Sequence, residues 1–226
     1  MSLTELIEVT KTFTVNGESI TAVNNVSLVI EKGDFISIAG HSGSGKTTLV
    51  SIIGGILSPA FGKVLFNGTD ICSLNDDKLS EYRNTKIGFI FQFASLLPNL
   101  TAKENVLLPC IFSREKKSDR DNLAKEYLEK VGIGNKINAY PSQLSGGEQR
   151  RVAIARAFIN SPELILADEP TGDLDEATEH DIMEFLHRTN NEKGTTFVIV
   201  THSSDIAYGC RKMYRMSRGI LTQETL

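Results

Sequence analysis

Apolar and polar residues change places along this chain in two rhythms, and the switches between them predict its elements. From Leu6 to about Phe35 they alternate, as in Ile7-Glu-Val-Thr-Lys-Thr-Phe-Thr-Val15, with turn residues at Asn16-Gly17 and Glu31-Lys-Gly33. A period of two broken by such turns predicts antiparallel strands. Lys63-Val-Leu-Phe-Asn67-Gly68-Thr-Asp-Ile71 predicts a further hairpin. Short apolar runs at 35–39, 87–91, 164–167 and 195–200 are separated by helical stretches, the rhythm of parallel strands in an α/β sheet. Residues 101–134 have another texture, charged and helical, with Leu123, Tyr127, Leu128 and Val131 at helical spacing and with Pro109 and Pro141 as interruptions.

The strand Phe35-Ile-Ser-Ile-Ala39 runs directly into Gly40-His-Ser-Gly-Ser-Gly-Lys-Thr-Thr48. Strand, glycine-rich loop and helix in that order are the context of a phosphate-binding loop. Gly40, Gly43 and Gly45 let bare backbone N–H groups approach phosphate oxygens, and Lys46 adds a point charge. The hydroxyl of Thr47 can ligate Mg2+, and the predicted helix from Thr47 points its positive end at the same phosphates.

A second anion site is written in Leu144-Ser-Gly-Gly-Glu-Gln149, ahead of Arg150-Arg-Val-Ala-Ile-Ala-Arg-Ala-Phe158. Ser145 and Glu148 have the spacing of a capping box, which would start a helix in any protein. The Gly146-Gly147 pair inside the box adds exposed N–H groups at a helix N-terminus, where phosphate is favoured. The third chemical element is Leu164-Ile-Leu-Ala-Asp168-Glu169, an apolar strand that delivers two acids at its C-terminal edge. Asp168 is suited to hold Mg2+ through water, and Glu169 to orient and deprotonate an attacking water.

Taken together, these segments resemble the nucleotide-binding ATPase subunit of ABC transporters over essentially the whole chain. Gly40–Thr48 resembles the family's Walker A loop, Leu144–Gln149 its signature, and Leu164–Asp168 its Walker B strand, with Glu169 at the position of the catalytic glutamate. The resemblance extends to Gln92 as the Q-loop glutamine that touches Mg2+, to Gly172-Asp-Leu-Asp175 as the D-loop, and to His202 as the switch histidine on the terminal phosphate. Phe13 stands where the family places an aromatic residue against adenine, although alternation in its strand also allows it to face a sheet core. Two departures from the family pattern are His41, where Pro is frequent, and Gly172 at the head of the D-loop.

This likeness implies a P-loop NTPase of ABC type, with a mixed sheet core, an antiparallel β subdomain and an inserted helical subdomain. The core would comprise residues 1–94 and 160–226, and the helical subdomain about 95–159. It implies ATP and Mg2+ as ligands, with Glu169, His202 and Gln92 catalytic and Thr47, Gln92 and Asp168 around the metal. His41, Ser42, Gly43, Ser44, Gly45, Lys46, Thr47 and Thr48 would surround the phosphates. Ser145, Gly146, Gly147 and Glu148 would face them from a second copy in an ATP-dependent, head-to-tail homodimer docked on integral membrane transporter subunits.

Composition narrows the classes further. The 226 residues, 40 % of them hydrophobic, suffice for one sizeable core but not for a transporter's membrane half. No apolar run approaches the length of a membrane span, and Met1-Ser-Leu-Thr-Glu-Leu lacks a signal segment, so the expected place is the cytoplasm, peripheral on the inner face of the membrane. Cys72, Cys110 and Cys210 show no paired spacing and read as reduced thiols. A net charge of −4 argues against a nucleic-acid partner. The run Arg114-Glu-Lys-Lys-Ser-Asp-Arg120 mixes signs, as a solvated loop does. Absence of a tandem cassette or long coiled coil disfavours translation factors and DNA-repair ATPases.

Within the family, the segments 87–98, 100–109 and 164–175 are similar to the lipoprotein-releasing and macrolide-exporting branch. The alternative is a regulatory ATPase of the cell-division type, which signals to a cell-envelope partner. Phe93, Leu96, Leu97 and Leu100 form an apolar cluster that either receives a short helix of the membrane partner or packs the helical subdomain.

Overall fold

The computed structural model describes residues 2–113, 119–172, 174–202, 207 and 209–224. In chain order the elements are strands β1 (Ser2–Val15), β2 (Glu18–Glu31) and β3 (Phe35–Ala39), helix α1 (Lys46–Ile53), strands β4 (Phe61–Phe66) and β5 (Thr69–Asp70), and helix α2 (Asp76–Thr85). Strand β6 (Ile87–Ile90) follows, then helices α3 (Ala102–Ile111), α4 (Arg120–Lys130) and α5 (Gly146–Phe158), strand β7 (Leu164–Asp168) and helix α6 (Glu176–Lys193). Strands β8 (Thr196–Thr201), β9 (Lys212–Ser217) and β10 (Ile220–Glu224) complete the order. Residues 1–83 with 196–226 form one compact unit, and residues 84–195 another.

In the first unit the predicted antiparallel strands are β1 and β2, paired from Ser2↔Glu31 to Val15↔Glu18. The hairpin closes through Asn16 (φ 52°) and Gly17 (φ 84°), two left-handed residues, as a turn that matches strand twist requires. The same device recurs at Asn67 (φ 47°) and Gly68 (φ 77°) between β4 and β5, the predicted second hairpin. Strand β4 lies against β1, so that Leu3, Leu6, Val9, Val23, Val26, Leu28, Ile30, Val64 and Phe66 are buried on one face.

Strand β3 pairs in parallel with β8 on one side and with β9 on the other, and β9 turns back antiparallel into β10. Phe35, Ile36 and Ile38 of β3 and Phe197, Val198, Ile199 and Val200 of β8 are all buried, the continuous apolar run expected of strands covered on both faces. Each such side chain contributes about 1.5–3 kcal/mol of burial. The β9–β10 hairpin was not legible in the sequence, because its turn is Arg218-Gly219 (φ 48° and 80°) rather than Asn-Gly, and Lys212-Met-Tyr-Arg-Met-Ser217 does not alternate.

In the second unit β6 and β7 pair in parallel, Ile87↔Leu164 through Ile90↔Ala167. Helices α4, α5 and α6 meet through three rings, with Phe158 5.8 Å from Tyr127 and 5.2 Å from Phe185 between centroids. Tyr127, Leu128 and Val131 are buried at the predicted helical spacing, whereas Leu123 is half-buried. Pro141 opens a single 3-10 turn between α4 and α5, as expected of an interruption. Pro109 does not interrupt: it lies in the last turn of α3, where only one backbone bond is lost before the N–H of Phe112 closes on the Pro109 carbonyl at 3.3 Å. Residues 114–118 of the mixed-charge run lie outside the described residues.

Among the glycines of this unit, Gly88 in β6 has the closest neighbours. A Cβ there would come within 2.4 Å of both the Ala157 carbonyl oxygen and Cδ1 of Ile165. Gly88→Ala should therefore lower the unfolding free energy by about 1–3 kcal/mol, read as a reduced urea midpoint at unchanged slope.

Candidate functional site

The phosphate loop spans the step from β3 to α1 in the first unit. Gly45 caps α1 at φ 106°, and a Cβ at this position would meet the Ala22 carbonyl oxygen at 2.0 Å, so only glycine fits. No side chain caps the first turn of this helix and no acid stands in it, which leaves its N–H groups and positive dipole end available to an anion. Lys46 is only 8 % exposed, and its Nζ donates to the carbonyls of Gly40 at 2.6 Å and His41 at 3.0 Å. Ser44 Oγ is buried without a hydrogen-bond partner, while His41, Ser42, Gly43 and Thr47 are exposed and Thr48 is half-buried.

Two further candidates belong to this unit. Phe13 lies near the end of β1 opposite Ile20, with Lys11 Nζ 5.4 Å from its ring centroid. It is 36 % exposed, so it does not pack into a sheet core, and the ring remains accessible for stacking. His202 follows β8 and is exposed; Ser203 and Asp205, from the same predicted motif, lie outside the described residues.

The second unit carries the other candidates. Ser145 is the N-cap of α5: its Oγ accepts from the Glu148 N–H at 3.2 Å, and Glu148 Oε2 accepts from the Ser145 N–H at 2.9 Å. The predicted capping box is thus formed. The other carboxylate oxygen of Glu148 accepts from Lys136 Nζ at 2.6 Å. With both oxygens committed and a negative charge of its own, Glu148 acts on this helix end by holding Ser145 rather than by offering a donor to phosphate. Gln149 fixes the approach to the helix, donating to the carbonyls of Pro141 at 2.9 Å and Leu144 at 3.2 Å.

Gly146 is the informative residue here. A Cβ would meet nothing within 4 Å, and its backbone is not in the left-handed region. Neither space nor conformation demands glycine, although glycine costs up to about 1 kcal/mol in a helix relative to alanine. What the residue provides is uncovered N–H groups at a solvent-facing helix N-terminus, the chemistry of an anion site.

The acidic pair follows β7, whose residues Leu164 to Ala167 are buried while Asp168 and Glu169 are half-buried. Glu169 has φ 50°, a conformation that costs a non-glycine residue about 1–2 kcal/mol. The Gly172 N–H closes the turn on the Glu169 carbonyl at 3.1 Å. Such strain persists where the surroundings enforce it, and it clusters at functional sites. Asp173 of the predicted D-loop lies outside the described residues; Asp175 caps α6, accepting from the Thr178 N–H at 3.0 Å. Gln92 is exposed just after β6. Of the apolar cluster behind it, Phe93 and Leu97 are exposed at 73 % and 46 %, whereas Leu96 and Leu100 are half-buried. The cluster therefore divides between an outward and an inward pair.

Sequence reasoning missed Lys136, Arg150 and Arg156, which act on these segments from a distance. Arg150 is buried and donates to the carbonyls of Phe91, beside Gln92, and Gly172, at 3.4 Å for the latter. Its place directly after the signature was the one available signal. As for a metal, Thr47 in the first unit offers a hydroxyl oxygen, and Gln92 and Asp168 in the second offer amide and carboxylate oxygens, each a hard donor of the kind Mg2+ takes. Among the described residues no group of three or more His, Cys, Asp or Glu could hold an ion.

Residues 23–172 match the family model described as ABC transporter. The lipoprotein-releasing system ATP-binding protein LolD of Myxococcus xanthus is 40 % identical, over 99 % of this chain and 100 % of its own length. The macrolide export ATP-binding/permease protein MacB of Syntrophobacter fumaroxidans is 41 % identical over 100 % of this chain, which spans only 32 % of that protein. A solved dimeric ATP-binding cassette in a post-hydrolysis state, bound to ADP and Pi, superimposes with a TM-score of 0.94 at 43 % identity, covering 99 % of this chain and 98 % of that one.

The bond from Lys136, then that from the Ser145 N–H, holds the Glu148 carboxyl below its ordinary range. A depressed carboxyl stabilises the helix end at neutral pH, and that contribution is lost as pH falls through the lowered value. Lys136→Met should move Glu148 protonation upward toward the ordinary glutamate range, so that the cap opens at higher pH. Side-chain carboxyl NMR across an acid titration measures this; an unmoved midpoint would mean that Lys136 does not hold Glu148.

Proposed function

Because the chain belongs to the ABC transporter family, we propose that it is the ATP-hydrolysing subunit of a membrane transport complex, with Mg-ATP sandwiched between two copies. The observation that carries this is Gly146: a glycine the fold does not need, at a helix N-terminus open to solvent. In this reading Gly43–Thr48 of one copy and Ser145–Gly147 of the other grip one triphosphate head to tail. Each surface alone leaves part of the phosphate charge facing water, so nucleotide joins the copies. The dimeric state of the similar solved cassette supports the arrangement.

Chemistry at the junction falls to a few side chains. Lys46 turns its ammonium from the loop carbonyls to phosphate oxygens, and the ring of Phe13 stacks on adenine. Thr47, Gln92 and Asp168 would hold Mg2+, which would neutralise phosphate charge. Glu169 orients water and takes its proton as the water oxygen bonds to the terminal phosphorus; the bond from that phosphorus to the bridging oxygen breaks, leaving ADP and phosphate. Such base catalysis is worth about 100- to 10,000-fold. His202 contacts the terminal phosphate. Loss of the bridging phosphate then lets the copies part.

The complete-length likeness to the ATP-binding protein of a lipoprotein-releasing system favours a role in lipoprotein release or export. Among the described residues no helix is long and apolar enough to cross a membrane, which suits a subunit held on the inner face of the cell membrane by its partner. Phe93 and Leu97, apolar and outward, offer that partner a contact.

Glu169→Gln keeps the shape of the acid and removes its charge. The variant should hydrolyse ATP about 100- to 10,000-fold more slowly and should run in light scattering as a monomer alone and as a dimer with ATP. Adding Ser145→Arg should restore the monomer. A Gln variant that stays monomeric at high protein and ATP concentration would remove either the signature as a phosphate surface or the second copy as the partner. Separately, Phe93→Asp should leave basal turnover intact and abolish its stimulation by the co-purified membrane subunits.

A further inference from the structure

From Phe91 to Thr101, between β6 and α3, the chain has no regular secondary structure, so its backbone polar groups need partners from elsewhere. Side chains of α3 and α5 supply several of them. Arg150 donates to the Phe91 carbonyl. Arg156 donates from Nη1 to the Ser95 carbonyl at 2.9 Å and from Nη2 to the Ala94 carbonyl at 2.7 Å. Fully buried Asn105 accepts from the Leu97 N–H at 2.8 Å and donates to the carbonyls of Leu97, Leu100 and Thr101 at 3.1, 2.9 and 3.0 Å.

The middle of these anchors is unusual. Ser95 stands in the left-handed region at φ 45°, which turns two successive carbonyls toward one guanidinium. Burial lowers the Arg156 pKa, and among the described residues no carboxylate forms an ion pair with it. A charge held in this way, with carbonyl dipoles as its partners, is a costly means of filling space. Its forked geometry suits a different task, since two parallel donors fix the orientation of a bend as well as its position.

We propose that Arg156 is a positioning residue that locks the Ala94–Ser95 bend to α5, so that the loop behind Gln92 and the Ser145–Gly147 end of that helix move as one body. Both features belong to one 13-residue helix, with Ser145 capping its start and Arg156 in its last turn. Nucleotide captured at the start is thereby reported at the exposed side chains of Phe93 and Leu97. The inference rests on the reading of Ser145–Gly147 as a phosphate surface and needs no membrane partner for its test.

The measurement is amide hydrogen exchange of the full chain carrying Glu169→Gln, with and without ATP. In that parent, ATP should slow exchange by roughly ten-fold or more, both at residues 145–149 and at 94–97. Adding Arg156→Gln should retain the effect at 145–149 and reduce it to less than about two-fold at 94–97. Arg156→Lys, which keeps one donor and the charge, should restore part of the response, and it remains informative if the Gln variant fails to fold. Unchanged ATP protection at 94–97 in both folded variants would overturn the proposal. Loss of protection at both segments would place Arg156 in nucleotide binding and overturn it as well. No ATP effect at 145–149 in the parent would show that the phosphate-surface reading itself fails, and the coupling with it.

Discussion

Backbone N–H groups that no other part of the chain claims are the constraint around which this molecule is arranged. The starts of α1 and α5 each expose such groups, and the two ends are prepared differently. At α1 the cap residue Gly45 is forced, because nothing larger fits beside Ala22. At α5 the glycine is optional for the fold, and the geometry is maintained instead by side chains: Glu148 on Ser145, Lys136 on Glu148, and Gln149 on the carbonyls of Pro141 and Leu144. The first end is built by exclusion and the second by a chain of hydrogen bonds. An anion-binding helix start needs only that its donors stay uncovered and point together, and both routes achieve that.

The cations on α5 are turned inward. Arg150 and Arg156 donate to carbonyls in segments 91–95 and at Gly172, and Arg151 divides itself between the Val131 carbonyl at 2.8 Å and Asp181 at 3.3 Å. A basic stretch read from sequence as Arg-Arg followed by a third Arg is thus a set of tethers for irregular backbone. Because loops between strands and helices must satisfy their polar groups somewhere, long forked side chains from one rigid helix are an economical means of giving those loops a single conformation.

What could be read before the structure was what depends on residues near one another in sequence. The phosphate loop, the Asn-Gly hairpins and the Ser145–Glu148 box each declare themselves within a few positions, because glycine conformation and capping are local. The apolar runs of β3, β6, β7 and β8 were legible for a related reason, since burial on both faces leaves no alternation. Lys136, Arg150 and Arg156 were not legible, because their partners lie 12, 59 and 61–62 residues away and no periodicity marks such contacts. The β9–β10 hairpin was missed because Arg218 adopts a left-handed conformation that its residue type does not advertise. Glu169 was picked out by its place after the apolar strand, but its strained backbone was invisible to pattern reading.

The folded-back ammonium of Lys46 bears on how tightly this loop can hold anything. In the free protein its charge already rests on two carbonyl oxygens, at 2.6 and 3.0 Å. An anion therefore does not find a bare cation; it must compete with the loop itself, and its net gain is the difference between the two sets of contacts. The same carbonyls compensate the ammonium whenever nothing else does, so the loop carries no bare charge in its free state. One side chain with two sets of oxygen partners thus exchanges one for the other, so nothing bound there gains the full worth of an isolated charge.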